Sequence, residues 1–250
     1  MIKRGLILIF LLGGIFVWSQ PYSGTIFIDP DIITSKDSSA FKSIIYKGKE
    51  FVKMYDRRIE NVTSNNAFQF DIIWKDGFKS LALVNSEFNT PEAALKEAKK
   101  YSYIVGQLPH CLRLFIDKIL IHKGVKLFGG GNRSILIHTG QGALYERDGI
   151  LEETLVHEAC HTSLDEEVYN LPEWETKASS DREFISTYAK DNPLREDVAE
   201  SFLPWLMVRF RSDRITNKDF YKISNTIPNR LKFFDGKDYN LYPFQINSDN

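Results

Sequence analysis

The stretch LEETLVHEACHTS at residues 151–163 decides how the rest of this 250-residue chain is read. Leu151, Leu155 and Ala159 recur at four-residue steps, so on a helix they form an apolar stripe that packs inward. His157 and His161 lie on the opposite face, one turn apart, where both imidazoles can reach one metal ion. Glu158, one residue further round, flanks the same point. The pattern H-E-x-x-H on a helix is the arrangement in which two imidazoles hold zinc and the glutamate takes a proton from the activated water. The competing reading is a buried, hydrogen-bonded histidine pair. The inward stripe on the other face argues against it, because it frees the histidine face to line a cleft.

Catalytic zinc normally has a third protein ligand. Leu164 and Glu167 stand where the metzincin pattern requires glycine and histidine, which excludes that subclass. Downstream, LREDVAESF at residues 194–202 sets Glu196 and Glu200 four apart on an expected helix, again on one face and one turn apart. Spacing alone allows either to bind the metal while the other orients a ligand histidine. Such pairs are ordinarily a solvated helix face, and the preceding H-E-x-x-H helix reverses that expectation.

H-E-x-x-H followed by E-x-x-A-E-x-F, with a tyrosine shortly before the glutamate helix, resembles the gluzincin peptidases related to the catalytic domain of anthrax lethal factor. The resemblance covers about Ile135 to Phe202. It implies zinc ligands His157, His161 and Glu196, a general base Glu158, Glu200 behind a ligand histidine, and Tyr188 stabilising the transition state, with Zn2+ as cofactor. Asp197-Val198 replaces the aromatic pair expected there and the N-terminal third has no counterpart, so substrate choice does not carry over.

Around this centre the order of elements predicts an α+β fold, zincin-like, with a small twisted sheet and an edge strand over the active-site helix, and a mostly helical C-terminal part. Phe41, Ile44, Ile45, Phe51, Val52 and Tyr55 suggest a helix by their spacing. Phe68 to Trp74 with the turn Asp76-Gly77 reads as a strand entering a hairpin. Thr90-Pro91 opens a helix through about Val105. Strands are expected at Phe115 to Ile121 and at Ser134 to His138, separated by a flexible Gly129-Gly130-Gly131, with Ser134 to His138 as the edge against which an extended peptide lies. His138 reads as a structural strand residue. The triple glycine lacks the Lys-Ser/Thr of a phosphate loop. Asp148 is the expected cap of the 151–163 helix. Further helices are expected near Asp181 to Tyr188 and Leu194 to Phe210, the last bent or ended by Pro204. Asp165-Glu166-Glu167 reads as a solvated turn, with Asp165 a reserve ligand.

The net charge of −1 offers no basic surface for nucleic acid or an anionic membrane. Lys3 and Arg4 precede the apolar run Gly5 to Trp18, and Val17 with Ser19 fits a cleavage site, so residues 1–19 read as a signal peptide that leaves Gln20 as the mature N-terminus. Residues 20–250 read as one metallopeptidase domain, with an N-terminal region at about 37–88 and a catalytic part at about 89–235. Two cysteines, Cys111 and Cys160, either pair or remain buried thiols. The expected activity is a secreted or periplasmic zinc endopeptidase acting on peptides or proteins. The alternative is a secreted zinc-binding or protein-binding module of the same fold without turnover. No membrane association is expected after signal cleavage, and nothing in the sequence speaks to oligomeric state.

Overall fold

A computed structural model describes residues 21–29 and 31–244; the expected signal peptide and Gln20 lie outside the described residues. The chain has an α+β fold. Six strands form one sheet among the described residues: β1 (Phe41–Asp56), β2 (Asn61–Trp74), β3 (Lys79–Val84), β4 (Lys118–His122), β5 (Gly129–Gly131) and β6 (Ser134–His138), in the order β1-β2-β3-β4-β6-β5. β1, β2 and β3 are antiparallel, β4 runs parallel to β3 and β6, and β5 returns antiparallel on β6.

The helices are α1 (Pro91–Val105), α2 (His110–Arg113), α3 (Thr139–Arg147), α4 (Leu151–Ser163), α5 (Asp165–Tyr169), α6 (Pro172–Ser180), α7 (Thr187–Asp191), α8 (Asp197–Phe210), α9 (Asn217–Thr226) and α10 (Pro228–Asp235). α1 matches its sequence signals: Thr90 accepts a hydrogen bond from the Ala93 amide and Pro91 occupies the first turn.

Strand alternation sorts the sheet into two faces. Phe70, Ile72, Ala82, Val84, Ile119, Ile121, Ile135 and Ile137 join the main core with the helices. Met54, Ala67, Leu83, Leu120 and Leu136 form a smaller cluster on the other face. The β1–β2 hairpin closes that second face, and near its tip Asp56 meets the buried His122 and His138 at 3.7 and 3.6 Å.

Several sequence expectations are corrected. The segment expected to be a helix from Phe41 to Tyr55 is β1. Its register with β2 shifts between Phe41 and Ser43 and again between Tyr46 and Gly48, where Gly48 has φ +104°. Each shift breaks the two-residue alternation, so the apolar residues fall at the three- and four-residue steps of a helix. Asp148 does not cap α4; it ends α3, a helix the sequence reading left out, and pairs with Arg147 at 2.8 Å. Asp181 accepts from the Asn229 and Arg230 amides instead of starting a helix, and Ser186 caps the shorter α7. α8 begins at Asp197 and continues through Pro204 to Phe210. Cys111 and Cys160 are free thiols. No helix among the described residues is long and apolar enough to cross a membrane.

The largest correction concerns the sheet edge. β6 is an interior strand, and the edge is the triple glycine read as a flexible connector. A β-carbon on Gly130 would overlap the carbonyl oxygen of Glu158, so only glycine lets this strand lie directly on α4. Gly130→Ala should therefore force strand and helix apart at a cost of ~1–3 kcal/mol, the usual range for overpacking. Urea denaturation measures this, and an unchanged midpoint would contradict the contact.

Candidate metal centre

The expected helix over residues 151–163 is α4, with Leu151, Leu155 and Ala159 fully buried on its inward face. Asn192 positions the opposing element, its carbonyl accepting the Arg195 and Glu196 amides at 3.1 and 2.8 Å. That turn leaves Glu196 as the residue capping α8, and its own carbonyl accepts the Glu200 amide at 2.8 Å. α4 packs on α8, so the histidines of one meet the glutamates of the other.

Three atoms converge between these helices. His157 Nε2 lies 3.2 Å from Glu196 Oε2, His161 Nε2 lies 3.1 Å from the same oxygen, and the two Nε2 atoms are 3.2 Å apart. The donor set is two imidazoles and a carboxylate, which suits zinc. A tetrahedral ion with zinc–ligand bonds near 2.0–2.1 Å needs its ligands ~3.3 Å apart, close to the triangle found. Residues His157, His161 and Glu196 thus fit a zinc ion in both chemistry and spacing.

Carboxylates stand behind both imidazoles. Asp165 Oδ2 lies 2.7 Å from His161 Nδ1, an arrangement that would leave the Nε2 lone pair for a metal once that nitrogen gives up its proton. The sequence reading had placed Asp165 in a solvated turn. The i, i+4 spacing from His161 across the α4–α5 junction was the signal available for it. Glu200 Oε1 approaches His157 Nδ1 at 3.3 Å, close enough for an ion pair although not aligned as a hydrogen bond.

The other oxygen of Glu200 accepts the Thr25 amide at 2.9 Å, a contact that sequence inspection had no means of finding. The same N-terminal segment holds the loop before α7: the Thr187 amide donates to the Tyr22 carbonyl at 2.8 Å and the Tyr188 amide to Ser23 at 3.3 Å. Tyr188 stacks beside His157 with ring centroids 6.2 Å apart and is 43% exposed. Burial pushes its hydroxyl up to about 12, helped by Glu196. Glu158 is half-buried on the same helix face, and its carboxylate makes no hydrogen bond or ion pair among the described residues. The structure thus brings His157, Glu158, His161, Glu196, Glu200 and Tyr188 together. His138 is excluded: it lies on the sheet against Asp56.

The charges of the centre would favour a bound cation. Burial alone would lower the pKa of His157, but Glu196 and Glu200 hold it up at about 10. His161, likewise opposed by burial, is held at about 9 by Asp165 and Glu196. Burial would raise Glu196, but His157 and His161 keep it well below the usual carboxylate range. Protein-family models, curated proteins and solved structures were compared with the chain, and none matches it.

Two predictions follow from this network. Folded histidine pKa values above the ordinary 6.5 contribute stability that is complete below pH 6.5 and lost as pH rises through 9 to 10. Chelator-treated protein should accordingly lose thermal stability over that range. Zinc replaces those protons, so added zinc should restore stability most at the alkaline end and release protons on binding. A midpoint that rises with pH without metal would contradict the assignment. Separately, Asp165→Ala and Glu200→Ala should each weaken zinc binding by roughly 10- to 100-fold, and Glu196→Ala should lose the site. Competition with a chelator of known affinity, on variants first shown to be folded, ranks the three.

Proposed function

We propose that this protein is a secreted zinc-dependent endopeptidase. The observation that carries the reading is the convergence of His157 Nε2, His161 Nε2 and Glu196 Oε2 at 3.1–3.2 Å, with the uncommitted carboxylate of Glu158 one residue from the first of them. The gluzincin resemblance of the two motifs supports it, as does the free edge of β5 beside α4.

Zinc held by these three residues would supply a lowered pKa for water and polarisation of a peptide carbonyl. The chain's own residues would do the rest. Glu158 would accept the proton of the attacking water and deliver it to the leaving amine. Tyr188 would donate its hydroxyl to the developing oxyanion, a role suited by a pKa high enough to keep it protonated. Asp165 and Glu200 would hold the histidine rings, so that little reorganisation accompanies the reaction. An extended peptide would pair with the outer edge of β5, in place of the Ser134 to His138 strand that the sequence suggested. Export would remove the segment at residues 1–19.

Glu158→Gln should abolish cleavage of a mixed peptide library while retaining about one zinc per chain, because the residue handles protons and binds no metal. Tyr188→Phe should lower kcat ~10-fold or more with a smaller effect on KM. Wild-type protein that leaves the library intact in a chelator-independent way would leave a zinc-binding module without turnover as the surviving reading.

A further inference from the structure

The turn between β1 and β2 carries adjacent arginines with opposite fates. Arg58 is consumed by the fold. Its Nε donates to Asp56 Oδ1 at 2.9 Å, its Nη2 to Asp56 Oδ2 at 2.6 Å and its Nη1 to Glu87 Oε2 at 2.7 Å. The Asp56 carboxylate also accepts the Arg58 amide at 2.9 Å, which fixes the turn itself. Arg57, half-buried, makes no hydrogen bond or ion pair among the described residues. A guanidinium with no carboxylate partner keeps its planar fork of donors available to engage an anion.

Its position is specific. The guanidinium lies over β5, so close that a β-carbon on Gly129 would sit 2.6 Å from Nη2 and 3.6 Å from Cζ. Gly130, the next residue, faces the opposite way, onto the backbone of Glu158. Two neighbouring glycines thus serve two contacts on opposite faces of one edge strand: Gly130 seats the strand on the helix of the candidate centre, and Gly129 makes room for Arg57 above it. Tyr145 is acted on by charges from both sides. Its pKa, raised mainly by burial, is raised further by Glu158 and lowered by Arg57, so both charges act on one phenol.

A peptide added to the outer edge of β5 would point alternate side chains toward α4 and toward the hairpin face. From these contacts we infer that Arg57 reads an acidic side chain of the bound peptide, on the face of the edge strand opposite the metal centre. The inference rests on the peptidase reading and adds a substrate class to it: peptides with an aspartate or glutamate one or a few residues from the scissile bond. The fixed turn makes the recognition pre-organised, because the guanidinium is already in place before the carboxylate arrives.

The test uses zinc-loaded protein and a neutral peptide scanned with Asp or Glu against Asn or Gln at each position, in free-acid and amidated forms. Charged hydrogen bonds of this kind predict ~10- to 100-fold higher kcat/KM for acid over amide at one position. Arg57→Gln should bring that ratio to about one, and Arg57→Glu should invert it toward Lys-containing peptides. A preference that follows the free C-terminus instead of a side chain overturns the inference, as does a ratio that survives Arg57→Gln; in either case cleavage stands and so does the peptidase reading. The second arm measures binding of the same fluorescent peptides to zinc-loaded Glu158→Gln protein, with and without Arg57→Gln. Equal affinity for acidic and neutral peptides there overturns the inference even if the wild type cleaves nothing, a result that would by itself remove only the peptidase reading.

Discussion

The burial of α4 is the constraint on which the rest of the molecule depends. Leu151, Leu155, Val156, Ala159 and Cys160 are wholly inaccessible, yet the same helix carries Glu153, Thr154, His157, His161 and Ser163. Polar groups removed from water must find partners or change their charge. Thr154 donates to the Ile150 carbonyl one turn back at 2.7 Å, and the others find partners beyond the helix. Glu153 accepts the Ile33 amide at 2.9 Å, and burial pushes its carboxyl up to about 8, so it sits neutral at ordinary pH. Ser163 donates to the Leu112 carbonyl at 2.6 Å, and the Thr162 hydroxyl accepts the Gly131 amide at 2.9 Å. The helix is thereby pinned at its start by the N-terminal segment, at its end by α2 and along one side by β5. A helix held this way fixes the positions of its two imidazoles, whose Nε2 atoms lie 3.2 Å apart.

The same constraint explains why the sheet ends in glycine. Any side chain on Gly130 would hold β5 away from the Glu158 carbonyl, and the candidate general base would then lie farther from the strand along which a peptide is proposed to bind. An edge strand of three glycines is weak in isolation, since it buries no side chain and loses much backbone entropy on ordering. It is kept in place by β6 on one side, by Thr162 beneath and by the Arg57 turn above. The hairpin, whose first strand has the apolar spacing of a helix, is consequently part of the architecture around the candidate site.

What was legible in the sequence was local. H-E-x-x-H and the two glutamates are relations within one helical turn, and the backbone geometry of a helix converts such spacing into a shared face wherever the helix lies. The Thr90-Pro91 start of α1 and the Asp76-Gly77 turn are equally local. What failed was of two kinds. Gly48 and the register shifts of β1 disturbed a strand's alternation until it imitated helical spacing. Gly129-Gly130-Gly131 carried a signal of absence: glycine marks both a free connector and a close approach, and only the approaching neighbour, here Glu158 or Arg57, distinguishes the two. Asp165 lay between these cases. Its spacing from His161 was visible, but acidic residues after a helix are commonly solvated, and the choice required knowing that His161 turns its Nδ1 that way.

The contacts of the N-terminal segment belong to no sequence pattern. Thr25 and Glu200 are 175 residues apart, and Tyr22 and Ser23 meet the α7 loop across a similar separation. They tie two different kinds of residue to one strand of backbone. Glu200 is buried and stands behind His157. Tyr188 is exposed, and the role proposed for its phenol requires a backbone that does not wander. Hydrogen bonds from main chain to main chain resolve this: they fix the Tyr188 backbone through Ser23 while leaving the ring to reach across His157. The candidate metal ligands can therefore come from two adjacent helices whose packing is secured by the core, while Tyr188 is secured from outside by the segment that begins the described chain. Rigidity is supplied to each residue by the part of the structure that packs against it.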